Sequence, residues 1–119
     1  MHFVLHQIIY LKSKIKLISM LTTKFLNGAI EVSLEDIARV NCDISKEFET
    51  NLKELLNKTE RLILNLEGVR FIDTHGFKAL SNAKKEAENK SIIIKNASED
   101  IRELFQLLKL DQEFQFSEN

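Results

Sequence analysis

At 119 residues and 13.8 kDa, the chain has the length of one domain. Apolar residues make up 44% and charged residues 29%, a globular mixture that excludes a mainly disordered chain. With no Pro, three Gly and one Cys, it excludes Pro-rich linkers, a Gly-rich phosphate cradle, a disulfide framework and a cluster of Cys metal ligands. The lone Cys42 suits a reducing, cytoplasmic setting. The formal charge of −1 hides an asymmetry: residues 1–27 carry Lys12, Lys14, Lys16 and Lys24 and no acid, whereas residues 28–119 hold 13 Lys and Arg against 18 Asp and Glu. That mildly acidic body lacks the concentrated basic face of a duplex-binding protein, so no nucleic-acid partner is expected.

Residues 1–27 read as a basic apolar extension, and residues 28–119 as the domain proper. Val4, Ile8, Leu11, Ile15 and Ile18 recur at helical spacing, while Ile15, Leu17, Ser19 and Leu21 fit a strand, so the extension is an extra helix or strand. Lysines interrupt it before ~18 apolar residues accumulate, which excludes a membrane span, and they follow the apolar stretch, which argues against a signal peptide. A basic apolar helix suits contact with an anionic membrane surface. An element packed on the domain or on a second copy is the preferred reading.

From Gly28 onward the periodicities sharpen. Ala29–Leu34 alternates apolar and polar residues as a half-buried strand does, with Ile37–Asn41 as a candidate hairpin partner across Glu35-Asp36. Asp43 or Ser45 can cap a helix whose stripe is Ile44, Phe48, Leu52, Leu55 and Leu56. Leu62–Leu66 is a nearly continuous apolar run, the pattern of a central strand covered on both faces. After Asp73-Thr74-His75-Gly76 a helix places Phe77, Leu80, Ala83 and Ala87 on one side. Ser91–Lys95 is a second central strand, and Asn96 with Glu99 has the spacing of a capping box for a helix with stripe Ile101, Leu104, Phe105 and Leu108. Phe114 and Phe116 close the chain as an edge strand or packed tail. This alternation predicts a layered α/β domain with a partly parallel sheet.

Catalytic signals are weak. His2 and His6 are four apart but have no carboxylate or Cys beside them, Cys42 reads as a small buried side chain, and no nucleotide-binding motif is present. No enzyme activity, cofactor or metal is expected. The Asp73-Thr74-His75-Gly76 junction stands apart, because loops at the carboxyl ends of strands are where α/β folds meet ligands and partners. A hydroxyl on the first residue of the following helix lies among unpaired backbone N–H groups at the helix's positive end. The plainer reading is purely structural: Asp73 or Thr74 caps the helix and Gly76 permits close packing.

The stretch Leu62–Phe116 resembles a STAS domain, the family of bacterial anti-sigma-factor antagonists and of a domain in sulfate transporters. It has an apolar strand ending in Leu-Glu-Gly-Val, then Phe-Ile-Asp-Thr-x-Gly where the family reads Asp-Ser-x-Gly. A polar helix, an Ile-rich strand, and a last helix running into Leu-Lys-Leu-Asp follow. The resemblance implies a STAS-like fold with a mixed sheet of four to five strands and three to four helices. It also implies a binding module that is not an enzyme, with Thr74 as phosphoacceptor and Asp73, Thr74, His75, Gly76 and Phe77 at the partner contact. The implied partner is an anti-sigma factor that is also a serine/threonine kinase. The alternative it implies is the STAS subunit of an ABC transporter of the lipid-asymmetry type, docked on the ATPase through the same loop. Thr74 departs from the Ser of most antagonists, the family's opening Gly-Glu-Leu-Asp segment is not visible, and residues 1–27 have no counterpart in the minimal domain.

Overall fold

A computed structural model describes residues 21–117. The His2/His6 pair and the stripe from Val4 to Ile18 lie outside those residues. Leu21–Leu26 forms strand β1 and Ala29–Leu34 forms β2, antiparallel and in register from Leu21↔Leu34 to Leu26↔Ala29. Asn27-Gly28 joins them, and Gly28 at φ +78° occupies the left-handed region that glycine enters without a Cβ penalty. Strand β3 is Arg39–Val40, helix α1 Cys42–Leu56, β4 Arg61–Asn65, β5 Phe71–Ile72, α2 Thr74–Glu86, β6 Ser91–Lys95, α3 Glu99–Leu107 and β7 Gln115–Phe116.

The main sheet has the order β1-β2-β4-β6-β7, with β2, β4, β6 and β7 parallel. Each of its three parallel steps passes through one helix, α1, α2 or α3, as connections between parallel neighbours require. The expected hairpin of Ile37–Asn41 on β2 does not form. One edge of β2 is taken by β1 and the other by β4, so Arg39–Val40 pairs instead with Phe71–Ile72 in a separate two-stranded parallel sheet.

One face of the main sheet is closed. Ile30, Val32 and Leu34 of β2, Leu62 and Leu64 of β4, and Ile92 and Ile94 of β6 are buried, together with the helical residues Phe48, Leu52, Leu56, Phe77, Leu80, Ala83, Ile101 and Phe105. The alternate residues Ile63, Asn65, Ile93 and Lys95 are only half-buried, and Lys95 pairs with Glu31 at 3.3 Å on that side. Among the described residues the apolar run Leu62–Leu66 is therefore fully covered on one face only, because side chains of a strand alternate between faces and one face joins the core. Phe105 is the hub of the far end. Its ring meets Phe77 of α2 edge-on at 5.0 Å, Phe114 at 5.5 Å and Phe116 of β7 at 5.1 Å. Leu108, expected in the α3 stripe, caps the helix end and is exposed.

Two caps also differ from expectation. Asn41 begins α1, its side chain accepting from the Asp43 N–H at 3.1 Å, in place of Asp43 or Ser45. Ser98 begins α3, accepting from the Ile101 N–H at 3.2 Å, in place of Asn96. A cap needs an extended backbone, which Asn41 and Ser98 have. Asn96 lies at φ +58° and donates to the Asn65 side-chain oxygen at 3.1 Å, tying the ends of β4 and β6 together.

Candidate functional site

The two-stranded sheet builds the site. β3 and β5 run in parallel register, Arg39↔Phe71 and Val40↔Ile72, and the Ala38 carbonyl accepts from the N–H groups of Arg70 and Phe71 at 2.8 and 3.2 Å. The Val40 carbonyl accepts from the Asp73 N–H at 3.0 Å. Each strand gives way to a helix after a single capping residue, Asn41 or Asp73, so Cys42 and Thr74 are the first residues of two helices that start side by side. Further along, Glu49 of α1 accepts from Asn82 of α2 at 3.1 Å, and Lys53 bridges Glu49 at 2.8 Å and Glu86 at 2.9 Å. The hydrogen bond from Lys53 outweighs partial desolvation and holds the Glu49 carboxyl below its ordinary value, while the bonds to Glu49 and Glu86 raise the Lys53 ammonium.

Within the loop the Asp73 side chain accepts from the Gly76 N–H at 3.0 Å and so closes the first turn of α2. Gly76 is required there. A Cβ at this position would stand 2.7 Å from the Val40 carbonyl oxygen and 2.7 Å from the Ile72 side chain. Gly76 and Phe77, expected at the partner contact with Asp73, Thr74 and His75, are buried and hold the loop from beneath. Thr74 and His75 are exposed, and His75 Nδ1 lies 3.6 Å from Asp73 Oδ2. Beside them a shallow groove of about 170 Å³ runs between α1 and α2, lined by Ser45, Lys46, Glu49, His75, Lys78 and Asn82 among others.

Desolvation pushes the Asp73 carboxyl upward, but the Gly76 N–H and the neighbouring His75 ring more than offset it, leaving the group below its usual value. A carboxyl depressed in the folded state contributes stability that is present above its unfolded pKa of about 4 and is lost as pH falls through the lower folded value. Asp73→Asn keeps a good capping side chain and removes only the charge. The denaturant midpoint of the native chain should exceed that of the variant at pH 6, and the gap should close as the pH is lowered below about 4. A gap that does not vary with pH would mean that the charge contributes nothing.

Cys42 is exposed, contrary to its reading as a small buried side chain, because its place at the start of α1 carries it out of the core. Its sulfur, a carboxylate oxygen of Asp73 and a ring nitrogen of His75 all lie within 4.8 Å of one another. Sequence spacing hides this cluster, since Cys42 and Asp73 are brought together only by the pairing of β3 with β5.

A model of the STAS domain family matches residues 32–119, and the chain belongs to that family. Among curated proteins none matches it. Its fold is similar to that of an anti-sigma factor antagonist from Mycobacterium paratuberculosis, with a TM-score of 0.71 and 16% identity over 83% of this chain and 85% of that one. It is also similar to the anti-sigma factor antagonist SpoIIAA in its unphosphorylated form, with a TM-score of 0.64 and 14% identity over 83% and 88%. The phosphorylated form of SpoIIAA, a Bacillus cell fate determinant, gives a TM-score of 0.62 at 16% identity over 82% and 90%. Among the described residues no helix is long and apolar enough to cross a membrane.

Proposed function

We propose that this chain is a non-enzymatic binding module of the anti-sigma-factor-antagonist kind, and that phosphorylation of Thr74 switches its hold on a protein partner. The observation that carries this reading is the exposed Thr74, first residue of α2, standing where two helices begin together. Solved structures of SpoIIAA in phosphorylated and unphosphorylated forms support it by analogy of fold. Asp73, Thr74 and His75 form the contact edge, with the groove between α1 and α2 beside them.

Phosphorylation adds ~1.5–2 negative charges to the threonine. At a helix N-terminus that charge is locally favourable, by ~0.3–1 kcal/mol when exposed, and α2 has no acidic residue of its own in its first turn. The fold therefore tolerates the modification. The interface does not, because bulk and charge arrive on the surface the partner covers, where like-charge contact or unpaired charge costs several kcal/mol.

The test is intact-mass analysis and partner capture with the full chain from its native host. A species about 80 Da heavier, mapped to Thr74 and absent from the partner-bound fraction, is the expected result, with an anti-sigma factor kinase as the captured partner. Capture of an ABC-transporter ATPase and permease by a chain whose Thr74 is never modified would overturn the switch and establish the transporter-subunit alternative.

A further inference from the structure

Cys42, Asp73 and His75 form a cluster whose sulfur ligand the proposed partner switch leaves unused, although Asp73 and His75 also lie on its contact edge. Their three donor atoms, one sulfur, one oxygen and one nitrogen, lie within 4.8 Å of one another. Around a tetrahedral Zn²⁺ with bond lengths of about 2.0–2.3 Å, ligand atoms stand roughly 3.3–3.7 Å apart. The His75 Nδ1 to Asp73 Oδ2 distance of 3.6 Å already has that span, and closing the sulfur onto them takes a side-chain rotation of an exposed residue.

We propose that Cys42, Asp73 and His75 bind a divalent transition-metal ion, Zn²⁺ being the best match, with water in the fourth position. Two further features of the site favour this. The backbone is preorganised: the register Val40↔Ile72 places the start of α1 against the start of α2, so the ligands come from two rigid helix ends. The carboxylate is oriented, since Asp73 Oδ1 accepts from the Gly76 N–H at 3.0 Å while Oδ2 faces His75. Outer hydrogen bonds of this kind fix metal ligands in their working orientation. On binding, the thiol gives its proton to solvent and a sulfur–metal bond forms, with no change of oxidation state.

A donor set of thiolate, imidazole and carboxylate selects zinc and its neighbours over Mg²⁺ and Ca²⁺, which prefer all-oxygen shells. Two of the three ligands are exposed, so the ion enters directly from solvent.

Titration of the reduced full chain with Co²⁺, followed by displacement with Zn²⁺, tests the proposal. One equivalent of Co²⁺ should produce a thiolate-to-cobalt charge-transfer band that Zn²⁺ abolishes. Cys42→Ser should remove the band, and His75→Ala should weaken Zn²⁺ binding by more than the ~10–100-fold that outer-shell changes cost. A chain carrying both His2→Ala and His6→Ala should bind as the native chain does. No charge-transfer band, or Zn²⁺ binding that survives Cys42→Ser and is lost on removing His2 and His6, would overturn the assignment. Circular dichroism of each variant confirms that the fold is retained, as the exposure of Cys42 and His75 leads one to expect.

Discussion

Replacing Thr74 with Glu should leave the fold intact and abolish capture of the partner. The side chain is exposed on the first residue of α2, so the substitution removes no core contact. A carboxylate at that place meets the positive end of the helix, a favourable interaction of ~0.3–1 kcal/mol, and the neighbouring start of α1 adds to the same field. Stability should therefore be unchanged or slightly raised. Binding should behave oppositely. A buried, unpaired charge at an interface costs ~2–5 kcal/mol, and at ~1.4 kcal/mol per tenfold that amounts to a loss of ~30-fold to several thousand-fold in affinity. Thr74→Ala separates the two contributions. It should bind the partner and never acquire the added phosphate mass. Unfolding of the Glu variant, read by circular dichroism or denaturant midpoint, would show that the hydroxyl is structural, and full binding by a folded Glu variant would remove Thr74 from the interface.

Phe105→Ala should be among the most destabilising single substitutions in the chain. The ring is fully buried and meets Phe77, Phe114 and Phe116 edge-on with centroids 5.0–5.5 Å away. Truncating a buried Phe costs ~3–5 kcal/mol in lost transfer energy and residual cavity. A domain of this size has ~5–15 kcal/mol in total, so the variant should fall to the margin of folding. At ~4–8 °C per kcal/mol the midpoint should drop by more than ~12 °C. The damage should also be directional. Phe114 and Phe116 hold the two-residue strand β7 on the sheet edge, and hydrogen exchange there should accelerate beyond that of β4. A loss below ~1 kcal/mol would show that the aromatic cluster collapses around the gap.

The elements that periodicity reveals are those the structure contains. The stripe Phe48, Leu52 and Leu56 is buried on α1, Phe77, Leu80 and Ala83 on α2, and Ile101 and Phe105 on α3. The Ile-rich run Ser91–Lys95 is the strand β6, between β4 and β7, and Asp73 caps the helix that carries Thr74. The Asn27-Gly28 turn dipeptide marks the hairpin of β1 and β2, but Leu21–Leu26 does not alternate apolar and polar residues, which hides β1 from periodicity. The choice among nearby caps was not legible either, since Asn41, Asp43 and Ser45 all offer an acceptor and only the backbone conformation decides between them.

By itself the sequence determined the three helices and the strands β2, β4 and β6, which face of each helix turns inward, and that a threonine opens the helix after Asp73. These follow from side-chain chemistry repeated along a short stretch. Tertiary structure alone decided that β3 lies beside β5, that α1 and α2 begin together, that Gly76 and Phe77 are covered while Thr74 and His75 are not, and that Cys42 reaches Asp73 and His75. The physical reason is that strand pairing is made by backbone N–H and C=O groups, which are the same in every residue. Segments about 32 residues apart in the chain therefore find their register through the packing of the whole core and not through any local pattern of side chains.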